Sequence, residues 1–511
     1  MSQPTVSPLR PTGKLLSLVP ATDLSRLLAE VFALAAAEPK LLEMIDRDRD
    51  AAALRKKKER LEDQNWYESR GKPLPGLSVK EDGDWADGME LGAGRPRMPA
   101  LAVLLFLVMR GYLGGFKDRK VAMTLRESTT VQICMMNLGY TALPGASTMI
   151  DNANAVSVAT HEAIIDAQIR QVLREKLDDF KELTLDSTDV EANSVWPTDS
   201  GLINGLTQRA EHLIRLLADD GITIRLPAVM GKILGEIKNL NKQIQLTSGK
   251  KDSAKKRKKL YRKLFRLARK ARREFERACA RVEEKFRKMD VPPSQWQRLA
   301  TLIEWIEVDT QNLAATIVNA DKRINKDQKV KVEDKVLSLS DQDAAMIVKG
   351  QREPVLGYKP QIVRSENGFV ASIIVPEGNA ADSGQLRPAI DASIKRTGVL
   401  PSVLSFDDGY SNAEDRNYYL GLGIGVVSFS GSKGKNIIPT AEYESEPYRA
   451  ARNKRSSVES LMYTLKNNNE LDDVMRRGID NVREELLGKV IAYNFFRAIT
   501  LRARQKTRKA A

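Results

Sequence analysis

The chain has 511 residues, 42% of them hydrophobic, with two histidines, two cysteines and a net charge of +15. That length exceeds what one core fills, so about three domains are expected. Cys134 and Cys279 form no CxxC and His161 and His212 no His-x-His, which excludes a disulfide framework, a cysteine zinc site, a histidine metal cluster and a triad needing more than a lone imidazole. For both histidines a structural role is expected.

The first residues carry Pro4, Pro8 and Pro11 without an apolar core, so no secretory signal is read. A helix is predicted from Leu24 to about Ala37, stopped by Pro39, followed by a charged run from Asp46 to Arg60. Together these make an N-terminal helical segment, 1–64. Gly71, Pro73, Pro75, Gly76, Gly83, Gly88, Gly92, Gly94 and Pro96 mark 65–96 as a linker or extended arm. Helical patterns resume at Pro99 and run to about Val156, with breaks at Gly114–Gly115 and Leu143–Pro144–Gly145. Pro144 to Thr148 reads as a turn and N-cap before another helix. The apolar run Ala100–Met109 is half the ~20 residues needed to cross a bilayer; it predicts a buried helix and no membrane span. Short helices over 97–182 suit a DNA-reading unit and equally an ordinary helical domain.

From Leu183 to Val190 the sequence alternates with period two, the mark of a strand. Asp186 within it needs a metal, a cation or an open strand end, because a buried unpaired carboxylate is costly. From Gly201 to about Lys349 the pattern is helical again, giving a helical basic insertion at 196–350. Leu260, Leu264, Leu267, Ala271, Phe275, Ala278, Val282 and Phe286 form one seam of a long helix, which Pro292 and Pro293 end. Between Lys250 and Arg273 stand fourteen Lys/Arg against Asp252 alone, so nearly all the net charge is local. Lys255, Lys256, Arg257, Lys258, Lys259, Arg262, Lys263, Arg266, Arg269 and Lys270 point to contact with the phosphates of a polyanionic partner.

Strand texture returns at Gly357-Tyr358-Lys359 and continues through Gly368 to Val375, followed by a helix near Gln385 to Arg396. Val403 to Tyr410 predicts a buried strand running into the acidic turn Asp407-Asp408-Gly409-Tyr410. A helix (Ala413 to Leu420), a strand (Ile424 to Ser430) and a Gly/Lys loop (Gly431 to Lys435) come next; the loop lacks the glycine spacing of a P-loop. One helix is predicted from about Tyr448 to Lys466. On it Arg455, Glu459 and Lys466 fall at roughly 0°, 40° and 20° around the axis, one stripe of two cations and a carboxylate. Val458, Leu461, Met462 and Leu465 form the adjoining apolar stripe. A charged helix, the apolar segment Leu486–Ala498 and a basic tail from Arg502 to Lys509 complete the region 471–511.

Asp186 ends one strand, Asp407 ends another and Glu459 lies on a helix that follows a third. Two hard divalent ions held by such carboxylates can activate a water or a 3′-OH for in-line phosphodiester displacement, with no histidine required. Arg455 and Lys466 could neutralise phosphate oxygens.

The ordered set resembles the bacterial insertion-sequence transposases of the DDE class, in the branch whose last acid lies in a Tyr-x2-Arg-x3-Glu-x6-Lys signature. Arg455-x3-Glu459-x6-Lys466 fits that signature. Asp186-Ser187-Thr188 with Pro197-Thr198-Asp199-Ser200 resembles the block of the first acid. Asp407-Asp408-Gly409-Tyr410 resembles that of the second, whose ligand precedes Gly by two positions, favouring Asp407 over Asp408. Ser340-Asp341-Gln342-Asp343-Ala344 and Gly357-Tyr358-Lys359 resemble the segments leading to the second acid. The likeness covers about 97–500.

It implies an α/β RNase H-like catalytic core, a mixed sheet flanked by helices, at 183–195 plus 351–470. An all-α N-terminal region, with 97–182 reading the terminal inverted repeats, and the large helical insertion would surround it. Asp186, Asp407 and Glu459 would be catalytic residues and ligands of two Mg²⁺, with Mn²⁺ able to substitute. Double-stranded DNA, both transposon ends and target, would be cut and joined by a homodimer in a synaptic complex, in the bacterial cytoplasm at the nucleoid. The sequence departs from the pattern at position 452, where Arg replaces the signature Tyr and Tyr448 stands one turn earlier, and in carrying its insertion between the first two acids. A transposase-derived DNA-binding regulator without catalysis, or a nuclease of the same fold without strand transfer, are the alternatives.

Overall fold

Thr22 and Ser25 start the first helix of the computed structural model, each accepting the other's backbone N–H, at 3.2 and 2.9 Å, a reciprocal cap. The structure describes residues 22–72, 97–114, 117–137, 144–247, 253–349 and 353–510. The glycine- and proline-rich stretch from 73 to 96, the Gly115 and Leu143 breaks and the start of the basic run at Lys250 lie outside the described residues. Helix α1 (Asp23–Ala37) ends ahead of Pro39, and α2 (Lys40–Glu68) takes in the whole charged run and the start of the expected linker.

The chain divides into two units, Met1–Ala52 with Arg95–Asn193 and Asp343–Ala511, and Ala53–Gly94 with Ser194–Gln342. In the first, α3 (Ala100–Tyr112) is buried along almost its whole surface, as its apolar run predicts. Helices α4 (Asp118–Glu127), α5 (Thr129–Asn137), α6 (Ala146–Asn154) and α7 (Val158–Arg174) lead to β1 (Glu182–Ser187) and β2 (Val190–Glu191).

The second unit is built on α8 (Asp199–Asp219), α9 (Met230–Leu246), α10 (Ser253–Phe286) and α11 (Pro293–Asn325), packed on one apolar core. On α10 the expected seam faces that core: Leu264, Ala271, Phe275, Ala278 and Val282 are buried, and Leu260, Leu267 and Phe286 pack at its margin. Lys255, Lys256, Lys259, Arg262, Lys263, Arg266, Arg269 and Lys270 are exposed on the other side, with Arg257 and Lys258 half-buried. Helix does not continue to Lys349. It stops at Asn325, and Asp327 takes a left-handed φ of 52°, a conformation an α-helix cannot contain.

The first unit then resumes with β3 (Ala345–Ile347), β4 (Val355–Tyr358), β5 (Gln361–Ser365), β6 (Val370–Ile374), α12 (Leu386–Thr397), β7 (Val403–Phe406), α13 (Ala413–Gly421) and β8 (Val426–Phe429). Five strands form a sheet in the order β6-β5-β1-β7-β8. β1 is antiparallel to β5 and β5 to β6, whereas β7 is parallel to both β1 and β8. With helices against it, this mixed sheet is the expected RNase H-like core. β2, β4 and β3 form a separate three-stranded sheet.

Gly431–Lys435, read as a loop, begins a helix, α14 (Ser432–Ile437), because Asp408 Oδ1 accepts the Gly434 N–H of its first turn at 2.9 Å. After α15 (Thr440–Tyr443) come α16 (Glu446–Lys454) and α17 (Ser456–Asn468). The chain ends in α18 (Ile479–Ala510), one helix through the apolar segment and the basic tail. α18 lies along α3 so closely that a Cβ on Gly111 would stand 2.0 Å from the Gly488 carbonyl oxygen. Among the described residues no helix is long and apolar enough to cross a membrane.

His161 on α7 has the structural role expected of it. Its buried ring donates from Nδ1 to the Ser157 carbonyl at 2.9 Å, Nε2 has no hydrogen-bond partner, and burial lowers its pKa from 6.5 to about 4. Between those values the unfolded chain binds a proton that the folded chain refuses, so this residue makes stability fall as pH drops from 6.5 to about 4. His161→Leu is expected to lessen the fall in thermal midpoint across that window relative to wild type.

Candidate active site

The register of the sheet brings the first two acids side by side. Leu185 on β1 is paired with Phe406 on β7, so Asp186 and Asp407 are the next residues of two parallel neighbours, at the same sheet end. Asp186 is buried and its Oδ1 accepts its neighbour Ser187's N–H at 2.7 Å. Asp407 is half-exposed, and Ser430, the residue after β8, donates its hydroxyl to Asp407 Oδ1 at 3.1 Å. Asp408 faces elsewhere, bonded to Gly434 N–H and to the Ser411 hydroxyl at 3.3 Å. Tyr410 is buried in the turn and donates to Gln361, which β5 sets opposite Ser187.

The single helix predicted from Tyr448 to Lys466 is two, jointed at Arg455. The Ser456 hydroxyl donates to the Asn453 carbonyl at 3.0 Å, and at the joint Arg455 N–H reaches Arg452 O and Val458 N–H reaches Arg455 O, three residues back in each case. A serine pair whose side chain competes for backbone carbonyls is a common cause of such a break. Ser457 is held by Arg364 Nη1 at 2.9 Å. Beyond the joint Val458, Leu461, Met462 and Leu465 are buried as their spacing predicts.

Arg455 therefore reaches three carboxylates. Its Nη2 is 2.8 Å from Glu459 Oε1, and its Nη1 lies 3.7 Å from Asp407 Oδ1 and 4.0 Å from Asp186 Oδ2. Lys466, expected to share the task, pairs with Asp189 at 3.3 Å. Burial acts to raise the Asp189 carboxyl, but Lys466, a backbone N–H and the charge of Lys349 together hold it below its usual value. Tyr448 takes no part: its buried hydroxyl donates to Phe429 O at 3.1 Å and accepts Phe429 N–H at 2.8 Å, tying α16 to β8. Burial pushes its pKa up to about 12.

One cation was not foreseen. Lys349, two residues past β3, bonds the Ser187 carbonyl and stands 3.3 Å from Asp186 Oδ1. Its neighbourhood read as helix, and no motif marks it. Burial raises the Asp186 pKa, with Lys349 the strongest opposing influence and Asp407 adding to the rise.

Carboxylate oxygens are the donors that a hard divalent ion takes, and here Arg455 and Lys349 supply the positive charge beside the three acids. Among the described residues, three carboxylate oxygens lie within 4.8 Å of one another at Glu470, Asp472 and Asp473; Asp186, Asp407 and Glu459 each face the Arg455 guanidinium instead. In the second unit, the α10 cations Lys258 and Arg269 pair with Asp327 at 2.8 Å and Asp321 at 3.6 Å. Tyr448→Phe is expected to cost about 1–3 kcal/mol by leaving the buried Phe429 N–H unbonded, seen as a lower urea midpoint.

Residues 333–495 match the family model described as a transposase DDE domain, a span that holds Asp407, Arg455, Glu459 and Lys466. No curated protein and no solved structure matches the chain. The matched span takes in β3 to β8 and the two helices that meet at Arg455, so this part of the chain is a transposase DDE domain.

Proposed function

We propose that the protein binds the terminal inverted repeats of its insertion sequence and catalyses divalent-metal-dependent DNA cleavage and strand transfer, within the branch marked by the Tyr-x2-Arg-x3-Glu-x6-Lys signature. The observation that carries this reading is the Arg455 guanidinium facing Asp186, Asp407 and Glu459 together. Three acids from two strand ends and a helix converge on one cation, and every one of them comes from a signature block.

Asp186, Asp407 and Glu459 would hold two Mg²⁺, or Mn²⁺ in their place. Ions held there would supply the Lewis acidity that activates a water or a 3′-OH and steadies the leaving oxygen. The chain's own residues do the positioning. The parallel register of β1 and β7 fixes the spacing of the two aspartates, and the Ser430 hydroxyl orients Asp407. Arg455 offers a planar fork that matches phosphate oxygens once the acids are otherwise neutralised. Lys466, held on Asp189, braces that acid beside β1 and is a second phosphate contact when DNA is bound. On the exposed side of α10 the basic residues track duplex backbone of transposon end or target without reading bases. A homodimer in a cytoplasmic, nucleoid-bound synaptic complex suits the joining of two ends.

In Mg²⁺, the wild type is expected to nick a labelled transposon-end duplex. Glu459→Gln should bind that duplex equally well and cut it more than about 100-fold more slowly, beyond the loss typical of an outer-shell partner. Tight binding without cutting by either protein, on the correct end sequence, would favour a non-catalytic regulator. Pre-cleaved ends with a free 3′-OH that are never joined would indicate a nuclease.

Replacing Lys255, Lys256, Lys258 and Lys259 by Ala is expected to weaken binding to all sequences alike. The slope of log affinity against log salt should become shallower by roughly one for each phosphate that is no longer neutralised. An unchanged slope removes α10 from the DNA interface.

A further inference from the structure

We infer that Lys349 is the cation that receives the phosphate of the strand being cut, and that it waits on Asp186 until DNA and a divalent ion enter. This rests on the DDE reading above and adds a residue that the family signature does not contain.

The small sheet delivers this lysine to the site. β2 begins three residues after β1 ends and pairs with β4, which pairs with β3, and Lys349 follows β3 by two residues. Its place beside the first acid is thus set by backbone pairing. The ammonium uses one donor on the Ser187 carbonyl and one on Asp186 Oδ1, of the three it has.

Neither signature cation is as free to serve Asp186. Arg455 is closest to Glu459, at 2.8 Å, and 4.0 Å from Asp186, while Lys466 is paired with Asp189. Asp186 is buried, so its charge needs a close partner, and Lys349 at 3.3 Å is that partner. Positive charge supplied to Asp186 by a divalent ion removes the need. A phosphodiester then brings a new negative charge to the same spot. Lysine is a point charge on a flexible stem, so with the Ser187 carbonyl as pivot its head can pass from carboxylate to phosphate oxygen.

The test compares wild type, Lys349→Gln and Lys349→Arg in the full chain, measuring affinity for a transposon-end duplex against salt, with and without Mg²⁺. Nicking by the wild type is scored in the same samples. With Mg²⁺, Lys349→Gln is expected to lose about one unit of the log–log slope, and Lys349→Arg to keep most of it. Without Mg²⁺ the three slopes should coincide, because the lysine is still held by Asp186. A wild type that nicks while all slopes coincide in both conditions overturns the role of Lys349 and leaves the DDE reading intact. A Lys349→Gln slope lowered equally with and without Mg²⁺ also overturns it, since the lysine would then touch DNA without leaving an acid. A wild type that neither nicks nor responds to Mg²⁺ overturns the DDE reading, and this inference with it.

Discussion

Bringing like charges to one sheet end is the constraint on which the rest of the first unit depends. The parallel pairing of β1 with β7 leaves Asp186 and Asp407 no choice of neighbour, and the burial of Asp186 makes the repulsion stronger than it would be in water. Cations must therefore be provided from outside the sheet. Arg455 comes from the joint of two helices and Lys349 from beyond the edge of a second sheet. Each depends on backbone features far from the acids in sequence.

Much of the surrounding structure serves to aim those two side chains. The serine pair after Arg455 breaks what would be a continuous helix, and the Tyr448 hydroxyl fastens the first half to β8. The apolar stripe of α17 settles the second half on the core. Asp408 is diverted into capping α14, which leaves Asp407 alone to face Arg455 and Glu459. The adjacent acids of one turn thus have different duties because only one of them lies next to a helix start.

Residues whose role follows from local pattern were legible in the sequence. The seam of α10, the buried α3, the strand around Asp186 and the acidic turn after β7 all follow from periodicity and turn chemistry, and the spacing of Arg455 and Glu459 fixed their ion pair. What could not be read depends on contacts between distant segments. The joint at Arg455 competes with a helical pattern that is intact on both sides of it. The end of α11 is set by left-handed Asp327, and lysine-rich sequence beyond it still looks helical. Lys349 has no distinguishing neighbours, since its meaning comes only from which strand the small sheet pairs with which. Lys466 was expected among the phosphate contacts and is found on Asp189, a residue that the alternating strand pattern left without an assigned partner.

The close seating of α18 on α3 carries a consequence for synthesis. The helix that covers the apolar sides of α3 is made long after α3 itself, so this core stays open until α18 has emerged. The same holds for the acids: β1 emerges long before β7 and α17, and the helical unit between them must be made first. Closing such long loops is entropically costly and slow. A nascent chain with Asp186 already exposed therefore lacks the neighbouring Asp407 and Glu459 until β7 and α17 have been made.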